Sequence, residues 1–331
     1  MSTGTLVRSL LNFSKVSNIS IIRYLSTPSN AQTSKNYKYT LDNNVLTSDQ
    51  RDFYEENGYI VIKGLVSEND IKKYRDRFAE YATGKRKPQS PALILQKELA
   101  VKNAVLTENS LYKIQELYAD EVLFEYCKHP KVLDYVKCFV GPNIMAIHTM
   151  LINKPPDTGS KSSRHPLHQD LHYFPMRPAD RIVCAWTAME KITQDNGCLV
   201  AIPGTHRGEH LNHEYPEWEG GVNKFYYGVN ISDDLANKRA HICMDTGDTI
   251  LFHPILIHGS GINRTKGFRK AISCHYAPVE ANFIDVNGTI QQKMADEILD
   301  TFSRKLGLKI DYATLWKLRG RTVLGNGGWE I

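Results

Sequence analysis

Hydrophobic and polar positions divide the chain into two regimes that meet near residue 140. In the first, apolar positions recur at helical spacing between turn signals. Thr47 and Gln50 stand at capping-box separation and Gly58 sits where a helix would stop, which predicts a short helix over 48–57. Tyr59-Ile60-Val61-Ile62 follows as a β-branched strand. Ser67 then caps a second helix whose Ile71, Tyr74, Phe78 and Tyr81 share one face, closed by a loop over 84–88. Residues 114–139 predict two helical pieces broken near His129-Pro130.

After Gly141-Pro142 the pattern changes to short runs rich in Ile, Val, Thr and Phe, at 144–153, 181–189, 198–202, 248–252 and 270–276. Turn signals separate them: Pro155-Pro156, Asn196-Gly197, Pro203-Gly204 and Gly259-Ser260-Gly261. Short strands at such intervals predict a sandwich or jelly roll. The expected architecture is mainly β with flanking helices, in a single domain over 42–331.

Residues 1–41 stand apart. They contain Arg8, Lys15, Arg23, Lys35 and Lys38, many Ser, Thr and Asn, and no acidic residue. That is the composition of an organelle transit segment, with Leu6, Leu10, Leu11 and Phe13 as the apolar face of a helix, the alternative being a disordered tail. Arg23-Tyr24-Leu25-Ser26 resembles a mitochondrial cleavage site, and no secretory apolar core is present, so an organellar, non-secreted protein is expected.

A net charge of +5 with scattered basic residues argues against nucleic-acid binding and suits a basic cleft for a small anion. No run of 18 apolar residues predicts a membrane span. The six cysteines form no C-x-x-C pair and read as thiols in a reducing compartment.

The candidate chemistry lies in His168-Gln169-Asp170 and, 88 residues after Asp170, His258. Residues two apart on a strand share a face, so His168 and Asp170 can enter one cavity. Two imidazoles and one carboxylate on one face make the triad that leaves three positions open on Fe(II), two for a bidentate keto acid and one for O2. Zinc or manganese would accept the same residue types, and His165, His172 and His253 are further candidates. Arg269 follows His258 by 11 residues. If the intervening turn reverses the chain, its guanidinium enters the same cavity on the next strand as a fork for a carboxylate, with Ser260 as an added donor.

The run 164–175 (RHPLHQDLHYFP) resembles the phytanoyl-CoA dioxygenase family. So do 183–189 (VCAWTAM), 196–199 (NGCL), 203–206 (PGTH), 218–223 (WEGGVN), 252–261 and 267–275 (GFRKAISCH), and the likeness extends over about 45–325. The resemblance implies a double-stranded β-helix of the cupin-like, jelly-roll kind. It implies oxidative decarboxylation of 2-oxoglutarate to succinate and CO2, with O2 consumed and ascorbate as reductant, coupled to hydroxylation of the 2-carbon of a branched acyl-CoA for fatty acid α-oxidation. The alternatives are the same chemistry on another CoA thioester or small molecule, and a catalytically silent binding relative. It implies His168, Asp170 and His258 as iron ligands and catalytic centre, and Lys113, Met150, Trp186, Ser260 and Arg269 as cosubstrate contacts. Asp170 itself favours hydroxylation, since related halogenating enzymes carry a small residue there. The resemblance also implies the peroxisome, although Lys15–Arg23 departs from that organelle's N-terminal signal and Trp329-Glu330-Ile331 is not its C-terminal one. The mitochondrial matrix is the compartment that the N-terminal composition favours.

Overall fold

A computed structural model describes residues 35–97, 106–157, 163–218, 222–307 and 309–330. The chain divides after Asn36, and the body is Tyr37–Ile331. The transit-like features at 6–26 lie outside the described residues. Tyr39 is buried, and the backbone N–H groups of Tyr39 and Thr40 donate to the Glu55 carboxylate at 2.9 and 2.7 Å. The body therefore begins a few residues before the boundary expected at 41/42.

Helix α1 (Ser48–Asn57) opens with the Thr47/Gln50 capping box and ends at Gly58, whose φ of 78° is left-handed. A Cβ at Gly58 would fall 2.4 Å from His206 Nδ1, so the position needs glycine for both conformation and space. Strand β1 (Tyr59–Ile62) and the Ser67-capped α2 (Glu68–Ala82) follow as predicted. The stretch 114–139 differs from expectation. Its start belongs to β3 (Leu111–Gln115), which pairs with β2 (Ile94–Lys97), a single 3-10 turn follows at Leu117–Ala119, and the α-helices are α3 (Leu123–Cys127) and α4 (Pro130–Val140). Pro130 occupies the first turn of α4, where its missing N–H costs nothing, so the break at His129-Pro130 stands where predicted.

The strands that follow are β4 (Ile144–Lys154), β5 (His165–His168), β6 (Met176–Arg177), β7 (Val183–Ala188), β8 (Leu199–Ala201), β9 (Ala240–Ile242), β10 (Thr249–Phe252), β11 (His258–Ser260), β12 (Arg269–Pro278) and β13 (Asn282–Phe283). A short helix, α5 (Asp233–Ala236), precedes β9. Beyond β13 come α6 (Gln292–Leu306), α7 (Tyr312–Arg319) and β14 (Arg321–Leu324), which the strand pattern alone does not foresee. One antiparallel sheet runs β1-β10-β7-β12-β4-β3-β2, with β14 also on β4. A second runs β5-β11-β8-β9. This is the double-stranded β-helix.

Strand parity sorts the larger sheet into two faces. Ile272, Cys274 and Tyr276 of β12 join Ile71, Tyr74, Phe78 and Tyr126 in a core against the helices. Ala271, with Cys184 and Trp186 of β7, packs inward with Cys198, Ala201 and Ile242 of the second sheet. Helices α6 and α7 cover a third cluster through Met294 and Trp316, against Met145, Ile147 and Phe174. The inner face of β12 is thus left to Arg269, Ala271, Ser273 and His275.

Candidate active site

His168 and His258 are direct cross-strand partners where β5 meets β11. Their rings lie 4.3 Å apart on one face. Asp170 is not on the strand as expected, since β5 ends at His168 and Asp170 begins a 3-10 turn over Asp170–Tyr173. Gln169 between them stays extended, at φ −117° and ψ 125°, so the two-residue parity survives into the turn. Asp170 Oδ1 lies 3.2 Å from His168 Nε2, and its Oδ2 3.6 Å from His258 Nε2. Atoms about 2.1 Å from a shared ion and at right angles to one another would be about 3 Å apart, so the three groups fit one divalent metal.

Protonation suits the same role. The Nδ1 atoms of His168 and His258 each lie 2.9 Å from a backbone carbonyl two residues earlier, Pro166 and Leu256. With Nδ1–H donating there, each Nε2 lone pair points at the cavity. Burial lowers His258 to about 4, which keeps its ring neutral at physiological pH. Burial opposes ionisation of Asp170, but its carboxyl is held well below the usual range, with His275 Nε2–H donating to Oδ2 at 2.8 Å.

At the far end of the inner face of β12 is Arg269, only 2% exposed. It comes from the sheet opposite β11, so it enters across the barrel and not as the hairpin neighbour of His258. Its Nη2 donates to the Gly197 carbonyl at 2.5 Å, its guanidinium stands 5.2 Å from the Trp186 ring, and its Nε has no partner among the described residues. Between Arg269 and His275 the face carries only Ala271 and Ser273, whose buried Oγ is also unpartnered among the described residues. Small side chains and orphaned polar atoms leave room for a polar ligand reaching from the triad to a buried cation.

The profile of the phytanoyl-CoA dioxygenase (PhyH) family matches residues 54–271. The chain belongs to the phytanoyl-CoA dioxygenase family. It is 52% identical over 303 residues to the peroxisomal phytanoyl-CoA dioxygenase of Mus musculus, covering 91% of this chain and 89% of that one. A probable phytanoyl-CoA dioxygenase of Caenorhabditis elegans is 50% identical over 300 residues, covering 87% and 96%. Among solved structures, EctD from S. alaskensis with bound Fe shares 18% identity at a TM-score of 0.56, over 72% of this chain and 79% of that one. The epimerase SnoN, in complex with Fe3+ and alpha ketoglutarate, shares 16% at 0.54, over 71% and 85%. These structural likenesses are of fold.

Of the remaining sequence-predicted contacts, Lys113, Met150 and Trp186 lie on strands of the larger sheet and Ser260 on β11 of the second. Ser273 pairs in register with Met150 on β4 and with Trp186 on β7, which puts Met150 and Trp186 on the cavity side. Ser260 lies two residues beyond His258 and accepts from Lys154 Nζ at 2.7 Å. Lys113 does not touch the triad. Its Nζ lies 3.3 Å from Tyr226 Oη, the Tyr226 ring lies 4.0 Å from His165, and His165 packs on His168. Phe225, before Tyr226, has a left-handed φ of 66° and is held at both backbone groups, its N–H by Tyr215 Oη and its carbonyl by Tyr173 Oη. That strained residue fixes where Tyr226 lies.

Of the other candidate histidines, His253 stands against Asp180 and Tyr39, away from the triad. His172 joins His210 and His213 in a second cluster. There His213 Nε2 already accepts the Gln169 N–H at 2.9 Å, so it is not free to ligate a metal.

Two residues of the site go unmarked in the sequence. His275 Nε2 lies 2.8 Å from Asp170 Oδ2 and so orients the carboxylate. The signal that finds it is parity, six residues along one strand from Arg269. His275→Ala is expected to weaken metal affinity by about 10- to 100-fold with the fold intact, measured by competition with a chelator. Affinity equal to wild type would show that Asp170 needs no such support. The second is Gln169, which is fully buried. Its Nε2 donates to the carbonyls of Glu209 and Ile255 at 3.0 and 2.9 Å, and its Oε1 accepts the Leu211 N–H at 2.7 Å. Gln169→Leu keeps the bulk but strands three backbone groups, and about 3 kcal/mol or more of stability is expected to be lost in urea unfolding. A loss below about 1 kcal/mol would mean that water or a shifted loop replaces those bonds.

Proposed function

We propose that this chain is an Fe(II)- and 2-oxoglutarate-dependent dioxygenase that hydroxylates the 2-carbon of phytanoyl-CoA or a similar branched acyl-CoA. The observation that carries the reading is a buried carboxylate–bis-imidazole triad at one end of the inner face of β12 and, at the other, a buried guanidinium whose Nε has no partner among the described residues. His168, Asp170 and His258 would hold the iron, the two neutral rings and one carboxylate leaving one positive charge on the site. Bound there, the metal supplies activation of O2 coupled to oxidative decarboxylation of the keto acid.

The chain's own residues do the positioning. Arg269 and Ser260 take the distal carboxylate of 2-oxoglutarate, and Trp186 and Met150 wall its carbon chain. Lys113, tied to Tyr226, is the cation on the triad's other flank. Residues 1–36 are an organelle-targeting segment, and the peroxisome is the compartment in keeping with the names of the mammalian relatives. No helix among the described residues is long and apolar enough to cross a membrane.

The test is succinate production by protein lacking residues 1–36, supplied with Fe(II), ascorbate and 2-oxoglutarate, with and without phytanoyl-CoA. Succinate formed in step with 2-hydroxyphytanoyl-CoA is the expected result. Succinate that ignores the acyl-CoA would keep the chemistry and move the substrate to another thioester or small molecule. No succinate from metal-loaded protein would overturn the enzymatic reading.

A further inference from the structure

We propose that Lys154 is a second cation for the distal carboxylate of the cosubstrate, acting beside Arg269 and through Ser260. The inference rests on the dioxygenase reading above. Lys154 ends β4 and is the direct cross-strand partner of Arg269 on β12, so both side chains leave the same face of the sheet. Lys154 is 6% exposed, and it forms no ion pair among the described residues. Its ammonium donates to Ser260 Oγ at 2.7 Å.

Two basic side chains buried side by side, neither in an ion pair among the described residues and with only the more distant charges of Asp157 and Glu190 acting on them, are costly as they stand, because each loses hydration and each repels the other. Apolar residues of the same length would pack the space without that cost. Burial, aided by the Arg269 charge, presses the Lys154 ammonium well below the usual lysine range. A carboxylate lodged between the two side chains offsets both effects at once. Nothing in packing alone accounts for the pair.

The surrounding backbone is shaped to the same end. Gly197 lies at a left-handed φ of 81°, and a Cβ there would fall 2.8 Å from Lys154 Cε and 2.7 Å from the Gly261 carbonyl oxygen. Glycine lets the lysine stem pass while its own carbonyl accepts from Arg269. The bond from Lys154 also settles Ser260. With a lone pair of Oγ occupied by the ammonium, the hydroxyl hydrogen is left to donate to a ligand. Guanidinium, ammonium and hydroxyl then converge on one carboxylate, which deepens selectivity for a dicarboxylate over a monocarboxylate keto acid.

The experiment is calorimetric binding of 2-oxoglutarate and of 2-oxopentanoate, which lacks the distal carboxylate, to the Zn(II)-substituted protein. Lys154→Met is expected to weaken 2-oxoglutarate binding by about thirtyfold or more and to leave 2-oxopentanoate unchanged. Lys154→Gln keeps a donor for Ser260 without the charge, and the same loss is expected. Wild-type affinity in Lys154→Gln would overturn the role of the charge and leave Lys154 as a prop for Ser260. If Lys154→Met fails to fold by circular dichroism, Lys154→Gln decides alone. Equal weakening for both keto acids in either variant would also overturn the proposal, since it would mark a general distortion. Wild-type protein that binds neither keto acid would sink the dioxygenase reading itself, an outcome distinct from a lysine that does not matter.

Discussion

Asp170→Asn is expected to abolish metal-dependent decarboxylation of 2-oxoglutarate, by more than about a hundredfold, in a protein that still folds. The floor comes from supporting residues, whose loss already costs 10- to 100-fold in many metal sites. Asp170 is the one carboxylate of the triad, and its oxygens face the imidazoles of His168, His258 and His275. The amide is nearly isosteric, so packing of the turn over Asp170–Tyr173 should survive. What changes is charge: two neutral rings remain, and a divalent ion loses its only anionic partner in the set. The new amide also turns an N–H donor toward a ring nitrogen that had faced only a carboxylate oxygen. Metal content by mass spectrometry, succinate yield and near-ultraviolet circular dichroism on the same sample separate the possibilities. Full turnover in Asp170→Asn would show that the metal is held elsewhere, and lost dichroism would show that Asp170 acts on the fold.

Much of this site was legible because strand parity is a rigid rule. His168 and Asp170 share a face even though Asp170 has left the strand, since the extended Gln169 carries the alternation one residue further. Arg269 likewise shares a face with His275. The caps at Thr47 and Ser67 and the break at His129-Pro130 were equally readable, because their chemistry is local. What escaped was non-local. Leu111–Gln115 is too short to declare itself a strand, and it becomes one by pairing with Ile94–Lys97 on one side and β4 on the other. His165–His168 and His258–Ser260 contain histidine, proline and glycine in place of strand formers. They are strands because they pair, and no propensity scale marks them. Lys154 looks like any surface lysine at the end of a run; only its register against Arg269 buries it. Gln169 passed as the spacer of a motif, whereas its amide ties down three backbone groups. Beyond Tyr276 the expected elements stop, yet Met294, Ile298 and Phe302 stand four residues apart and pack with the core beneath α6.

Arg269→Met is expected to raise the 2-oxoglutarate concentration needed for half-maximal turnover by roughly a hundredfold, with a smaller change in rate at saturation. Truncating one partner of a buried charge-assisted contact costs about 3 kcal/mol, which is that factor. The contact is remote from the triad, at the other end of the face that begins with His275, so it serves binding and orientation more than the chemical step. Arg269→Lys is not expected to restore the wild-type value. The guanidinium donates through one nitrogen to the Gly197 carbonyl and keeps others for a ligand, a division that a single ammonium on a shorter reach does not reproduce. It would also stand beside Lys154 as a second desolvated amine. Initial rates over a range of 2-oxoglutarate at fixed acyl-CoA give the split between KM and kcat. A fall in kcat with KM unchanged would move Arg269 from the carboxylate to the support of Trp186, whose ring its guanidinium faces at 5.2 Å. An unchanged profile in both parameters would place the distal carboxylate elsewhere in the barrel, and the unpaired Nε would then belong to a buried water.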